Sequence, residues 1–278
     1  MRDFIVVGAG VVGCTVAAAA RRAGADVLLL DDARPMPGSR ASGGHLKPSW
    51  LGGMKKSEYE PAMKLLDEVW GLSSEEFVIY PLRVVSTTVY RVDPDAVAAY
   101  PRTEQRVTGI HNLEGNPEVR WNGGGARCRC LVVATGSWAG ELVPELKISG
   151  KMGVSFRFKG KLNKPFIKAW APYKQVVAHQ QSEEEVWVGD GSALLTENWT
   201  AERTDECMRR CRNTLPVGMR GLEPAKVIHG IRPYCAIPDG QPCLIHRLGP
   251  NAWAVTGAGK LGTIAAGWAA GRLVNEAE

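Results

Sequence analysis

Asp3-Phe4-Ile5-Val6-Val7-Gly8-Ala9-Gly10-Val11-Val12-Gly13, an alanine-rich run to Ala23, and then Asp26-Val27-Leu28-Leu29-Leu30-Asp31 decide the fold. Asp3 to Val7 reads as a buried strand, Val11 to Ala23 as a helix and Asp26 to Asp31 as a second strand, a β-α-β unit of about 30 residues. Gly8 to Gly13 fits the pattern G-x-G-x-x-G, which is weak alone. Here it joins strand to helix, and an acid, Asp31, ends the next strand about 20 residues on, which makes it specific. Gly8 permits the tight turn, Gly10 lets a pyrophosphate approach the backbone, and Gly13 lets helix pack on strand. The helix N-terminus offers free N–H groups and partial positive charge to a diphosphate. Asp31 accepts hydrogen bonds from ribose hydroxyls and repels a 2′-phosphate. The motif implies a dinucleotide and does not separate NAD from FAD.

Outward from this unit, 278 residues suffice for one large or two interleaved domains. A content of 45% hydrophobic and 23% charged residues is that of a globular chain and argues against disorder. The net charge of +5 fits either a mixed-charge surface or affinity for an anionic partner. No run of 18 apolar residues is present, so no membrane span is expected. The first apolar stretch runs straight into the glycine motif and is read as a strand, not a signal peptide. Seven cysteines form no C-x-x-C. Cys128 and Cys130 would share a strand face, and Cys207 and Cys211 a helix face. No histidine stands at ligand spacing nearby, so buried reduced thiols, a cytoplasmic protein and no metal are expected.

Further elements are expected in turn. Arg34 to Gly53 reads as a loop rich in Gly, Pro and Ser, and Ser57 to Trp70 as a helix with Ala62, Leu65, Leu66 and Val69 on one face. Phe77 to Tyr90 reads as strands broken at Pro81, and Arg129 to Ala134 as a strand. Lys151 to Lys159, Gln175 to His179 and Glu185 to Val188 suggest a separate antiparallel sheet. Thr204 to Leu215 reads as a helix, Val227 to Ile231 and Ala252 to Thr256 as strands, and Gly262 to Asn275 as the last helix.

Three segments choose the cofactor. Arg40-Ala41-Ser42-Gly43-Gly44-His45-Leu46 is a small-residue loop after the second strand. Leu131-Val132-Val133-Ala134-Thr135-Gly136-Ser137-Trp138 is a strand ending in a tight turn. Gly230-Ile231-Arg232-Pro233, Pro238-Asp239-Gly240-Gln241-Pro242 and Val255-Thr256-Gly257-Ala258-Gly259-Lys260-Leu261-Gly262 follow. In order and spacing they resemble the D-amino-acid oxidase and glycine oxidase family of flavoproteins, glycine oxidase in particular. The resemblance covers nearly the whole chain and is weakest between residues 75 and 125.

It implies an α/β protein: a Rossmann-type FAD-binding domain (1–75, 104–147 and 220–278) interleaved with a smaller antiparallel-sheet substrate domain (76–103 and 148–219). It implies non-covalent FAD held by Gly8, Gly10, Val11, Val12, Gly13, Asp31 and Asp32, and by Arg40, Ala41, Ser42, Gly44, His45 and Leu46. It adds Val107, Ala134, Thr135, Gly136 and Trp138, and then Arg232, Gly257, Gly259, Lys260, Leu261, Gly262 and Thr263. A physical reason supports the last group. A helix N-terminus aimed at the flavin pyrimidine edge stabilises the anion that develops there on reduction. A glycine turn that only starts a helix is the plainer alternative.

Arg232, Lys260 and His45 are the candidate catalytic residues. In the family the arginine of the G-x-R-P motif binds the substrate carboxylate through its fork. Sarcosine oxidase relatives carry a flavin-bonding cysteine at about this place. Arg232 thus implies an amino-acid substrate; a surface arginine paired with an acid is the alternative. Lys260 stands where glycine oxidases have a second arginine, keeping a cation and losing the fork. His45 lies either over the flavin ring or in a loop against a backbone partner. Glycine oxidases place a tyrosine near Val177; none is found, and Tyr173 and His179 do not align.

The expected chemistry is FAD-dependent oxidation of a small amine or amino acid by hydride transfer, imine hydrolysis and reoxidation by dioxygen, which needs positioning more than acid–base catalysis. One alternative substrate is an aminoacyl group on a larger carrier, such as a glycyl-modified thymidine in phage DNA. The alternative to an enzyme is a flavin-binding subunit without chemistry of its own.

Overall fold

The computed structural model describes residues 1–47, 49, 54–80, 85–171 and 174–276. Pro81, Tyr173 and residues 48 and 50–53 of the expected loop lie outside them. Two sheets organise the chain. In the first, Arg2–Val7 lies between two parallel neighbours, Val27–Asp31 and Gly124–Val133. Ala252–Thr256 extends it beside Gly124–Val133, with Leu244–Gly249 antiparallel at that edge. The three central strands read Phe-Ile-Val-Val, Val-Leu-Leu-Leu and Leu-Val-Val because both faces are covered, as a parallel sheet requires.

One face is covered by Val11–Arg22, Lys56–Trp70 and Gly262–Glu276. Small residues set their distance: Ala17 to Ala20 are buried, and a Cβ on Gly267 would lie 2.3 Å from the Ala62 carbonyl oxygen. The opposite face packs on the ribbon Val107–His111 and Glu118–Trp121 and on the short helix Ala139–Leu142, where Val119 and Ala139 are fully buried.

The second sheet runs in the order Leu194–Leu195, Ser149–Lys159, Glu185–Gly189, Lys174–Gln180, Phe166–Ala171, Ser73–Tyr80, Val85–Arg91, His45–Leu46. Its pairings are antiparallel, apart from Phe166–Ala171 beside Ser73–Tyr80, which run parallel. Lys226–Tyr234 pairs with Ser149–Lys159 along nine register positions, from Tyr234 opposite Ser149 to Lys226 opposite Arg157. Helix Ala201–Thr214 covers the far face through Cys207 and Cys211, both buried against Phe156, Phe158, Val186 and Val188. All seven cysteines are free.

The expected helices and strands appear with their ends shifted, whereas the stretch expected as a loop, 34–53, carries a short helix, Gly38–Ala41, and the strand His45–Leu46. The expected strand 129–134 begins at Gly124 because its first half closes a ribbon with Glu118–Trp121. The helix expected at 204–215 starts at Ala201, where the Thr200 side chain accepts from the Arg203 N–H as an N-cap. No helix among the described residues is long and apolar enough to cross a membrane.

Candidate active site

The turn between first strand and first helix is built as its glycines require. Gly8 has φ +102°, and a Cβ there would meet the Ala134 carbonyl oxygen at 2.5 Å. At Gly13 a Cβ would lie 1.8 Å from the Gly8 carbonyl oxygen, so only glycine lets the helix start this close to the strand. Gly10 differs: its φ of −73° suits any residue, and a Cβ would meet only the Ser39 hydroxyl, at 3.3 Å. The space above it is open. The helix has no acid in its first turn, and its Val11 N–H donates to Ser39 Oγ at 2.9 Å.

That turn floors one end of a cavity of about 600 Å³. Asp31 and Asp32 stand at this end. Asp31 Oδ1 accepts from the Ala9 N–H at 2.9 Å, tying the acid to the glycine turn. Arg34 bonds Asp32 and Glu141, lying over the Trp138 ring with its guanidinium 5.4 Å from the centroid. The middle is walled by Ala134, Thr135 and Gly136 on one side and, on the other, by the segment 38–45, which runs from the short helix Gly38–Ala41 into the strand His45–Leu46. This segment is clamped on the arginine strand: Pro37 bridges to Ile231, and a Cβ on Gly230 would lie 2.6 Å from Ala41 Cβ.

The far end is lined by Arg232, Val154, Gln175, Val177, Trp187 and Gly189, with His45 between. Arg232 is half-buried. Its Nη1 is shut off from solvent and has no hydrogen-bond partner among the described residues, as do Thr135 Oγ1, Ser137 Oγ and Trp187 Nε1. Gly259 and Lys260, in a short turn before helix Gly262–Glu276, also line the cavity, with no acid in the first helical turn. His45 Nε2 lies 2.9 Å from Nδ1 of His179, not on a backbone partner. Burial, reinforced by His179 and Arg91, holds His45 well below the usual histidine range. Burial and the Arg91 charge bring His179 down to about 3. Both rings are neutral at physiological pH.

Of the residues singled out from sequence, Gly8, Gly10, Val11, Val12, Asp31, Asp32, Arg40, Ala41, Ser42, His45 and Val107 line this one cavity. So do Ala134, Thr135, Gly136, Trp138, Arg232, Gly259, Lys260, Leu261, Gly262 and Thr263. Gly13, Gly44, Leu46 and Gly257 do not line it. Gly44 and Gly257 turn the chain at φ +68° and +78°, and Leu46 is core. Sequence reasoning missed Ser39, Arg34, Gln175 and Trp187. Ser39 lay one residue before the loop segment quoted for the resemblance, and the others carry no local signal.

The cavity joins a phosphate-ready turn at one end to unpartnered donors at the other. A family model described as "DAO: FAD dependent oxidoreductase" matches residues 3–90 and 57–277. The chain belongs to this family of FAD-dependent oxidoreductases. The site fits the cofactor. The space above Gly10 would take the pyrophosphate, Asp31 the ribose, and the donors left unpaired in the far half would meet acceptors of the ring and substrate.

Solved structures share the fold. An iminodiacetate oxidase from Chelativorans sp. BNC1 aligns with TM-score 0.72 at 15% identity over 98% of this chain and 94% of that one. An L-proline dehydrogenase from P. horikoshii gives 0.74 at 16% over 99% and 92%. A glycine oxidase from Bacillus cereus ATCC 14579 gives 0.72 at 15% over 100% and 97%. No curated protein sequence matches the chain.

Proposed function

We propose that this FAD-dependent oxidoreductase oxidises a small amino acid of glycine's kind at the carbon next to nitrogen, with FAD bound non-covalently and dioxygen as final acceptor. Arg232 carries the reading: a cationic fork whose Nη1 is enclosed without a partner in the far half of the cavity. Leaving such a donor unpaired costs about 1–3 kcal/mol or more. A carboxylate answers both its charge and its planar geometry. Iminodiacetate, proline and glycine, named for the similar structures, each join an amine to a carboxylate.

FAD, when bound, supplies the two-electron acceptor for the hydride leaving the substrate carbon. The chain's residues supply the rest. Arg232 would hold the carboxylate and so orient the C–H bond. Val154, Val177 and Trp187 line the walls and give the substrate apolar surface to rest on. The N-terminus of Gly262–Glu276 would stabilise negative charge developing near it. An anaerobic screen of amino acids and amines against the purified yellow protein tests the proposal. Bleaching by a small amino acid supports it, and indifference to every carboxylate-bearing amine refutes it.

A second reading, an aminoacyl group tethered to a nucleotide or DNA, is favoured by Gln175 and Val177, which line the cavity near where a clamping tyrosine was expected. Turnover of free glycine against a glycyl-modified oligonucleotide, at two salt concentrations, separates the readings. A substrate on DNA gains from low salt; free glycine does not.

A further inference from the structure

A polar network behind the cavity wall does not enter the chemistry above, although one of its members does line the cavity. His45 and Arg91 are direct cross-strand neighbours at the sheet edge. Both side chains reach His179, which is completely buried on the strand Lys174–Gln180. His179 Nδ1 lies 2.9 Å from His45 Nε2, and Arg91 Nη1 lies 2.9 Å from His179 Nε2. The same Arg91 nitrogen donates to Gln181 Oε1 at 3.0 Å, and Gln181 Nε2 donates to Asp93 and Asp95 at 3.1 and 3.0 Å. The Gln181 amide therefore has its oxygen turned toward Arg91. Asp95 is held in turn by Arg157, which also pairs with Glu185. Trp187 stacks on His179 at 5.2 Å and meets the His45 ring edge at 5.2 Å.

Two proton arrangements suit neutral rings. Gln181 Oε1 lies 2.9 Å from His179 Nε2, so His179 could donate there and accept from His45 at Nδ1. That arrangement sets an N–H against the guanidinium, which has donors only and is permanently charged. In the other, His179 Nε2 takes a charge-assisted bond from Arg91, the stronger kind. Its Nδ1–H then donates to His45 Nε2, and the His45 proton must sit on Nδ1. Gln181 Oε1 remains satisfied by Arg91. His45 Nδ1 has no partner among the described residues, and His45 lines the cavity.

We propose that Arg91 and His179 are positioning residues that lock His45 as the neutral Nδ1–H tautomer, presenting a fixed donor in the cavity to an acceptor oxygen of the bound molecule. Two oxygens offer this chemistry, a flavin carbonyl and a substrate carboxylate. The inference rests on the cofactor site described above and does not depend on which amine is oxidised. The arrangement gives the site a donor that adds no third positive charge beside Arg232 and Lys260.

The test is nitrogen-15 spectroscopy of histidine-labelled protein at neutral pH, which reads the protonated ring nitrogen directly. The holoenzyme should show His45 and His179 each protonated at Nδ1. Arg91→Met frees His179 Nε2 to donate to Gln181, and both rings should move their protons to Nε2. Arg91→Lys keeps a cationic donor and should retain the original tautomers. A wild-type His45 protonated at Nε2, or tautomers unchanged in a folded Arg91→Met protein, overturns the proposal. If that variant does not fold, the wild-type spectrum alone decides. A His45 Nδ1–H resonance that shifts when FAD is added to apoprotein assigns the flavin carbonyl. One that shifts only when acetate is added to holoenzyme assigns the carboxylate. No shift in either arm overturns the donor role.

Discussion

Replacing Gly10 by valine separates the two tasks of the glycine turn. Gly10 has φ −73° and ψ 178°, open to any residue, and a Cβ there meets only the movable Ser39 hydroxyl at 3.3 Å. The folded apoprotein should therefore lose less than about 1 kcal/mol. The new side chain points into the space proposed for the pyrophosphate. A cofactor present at 100 times its Kd stabilises the folded chain by about 2.7 kcal/mol. For a chain of this size that is roughly 5–10 °C in Tm. Melting the wild type with and without added FAD should show this rise; Gly10→Val should melt near the wild-type apoprotein and show none. Gly13→Ala is the contrast, since its Cβ would lie 1.8 Å from a backbone oxygen that cannot move aside. It should destabilise the apoprotein itself, by about 1–3 kcal/mol or more. A folded Gly10→Val protein with normal flavin content would refute the assignment of this turn to the pyrophosphate.

Three further outcomes are expected. Acid precipitation should release all yellow colour into the supernatant, because the proposed FAD is non-covalent; colour retained in the pellet contradicts it. Asp190 is fully buried and accepts from Arg210 Nε and Nη2 at 2.9 and 2.7 Å, so Asp190→Ala should cost about 3 kcal/mol in urea unfolding, and a loss under 1 kcal/mol would show the pair to be dispensable. His45 and His179 are held neutral in the folded chain but titrate near 6.5 when unfolded, so the unfolded state binds more protons as pH falls below 6.5. Stability should drop by about 1.4 kcal/mol per pH unit per ring down to the folded pKa, about 3 for His179, and His179→Phe should flatten that slope between pH 6 and 4.

The cofactor end was legible because its signal is local. Gly8, Gly10 and Gly13 lie within six residues, and Asp31 follows at the fixed distance of one helix and one strand. The covered sheet shows itself in uninterrupted apolar runs. The far end was less legible because contacts distant in sequence make it. His45 meets His179 across 134 residues and Arg91 across a sheet edge. Trp187 carries no motif, and its role follows only from lining the cavity beside both histidines. Strand Lys226–Tyr234 reads like any β-branched run; only its register shows that it brings Arg232 to the second sheet. Asp31 was legible as an acid at the end of the second strand, but its bond to the Ala9 N–H was not.

The central claim is that Arg232 holds the carboxylate of an amine that FAD oxidises. Anaerobic titration of the flavin colour with amino acids, wild type beside Arg232→Ala, tests it most directly. The wild type should bleach with a small amino acid. The variant should keep its flavin but need about 30-fold more substrate or beyond, since losing a charge-assisted pair costs about 2–5 kcal/mol. Equal bleaching of the two proteins at equal substrate concentration would contradict it.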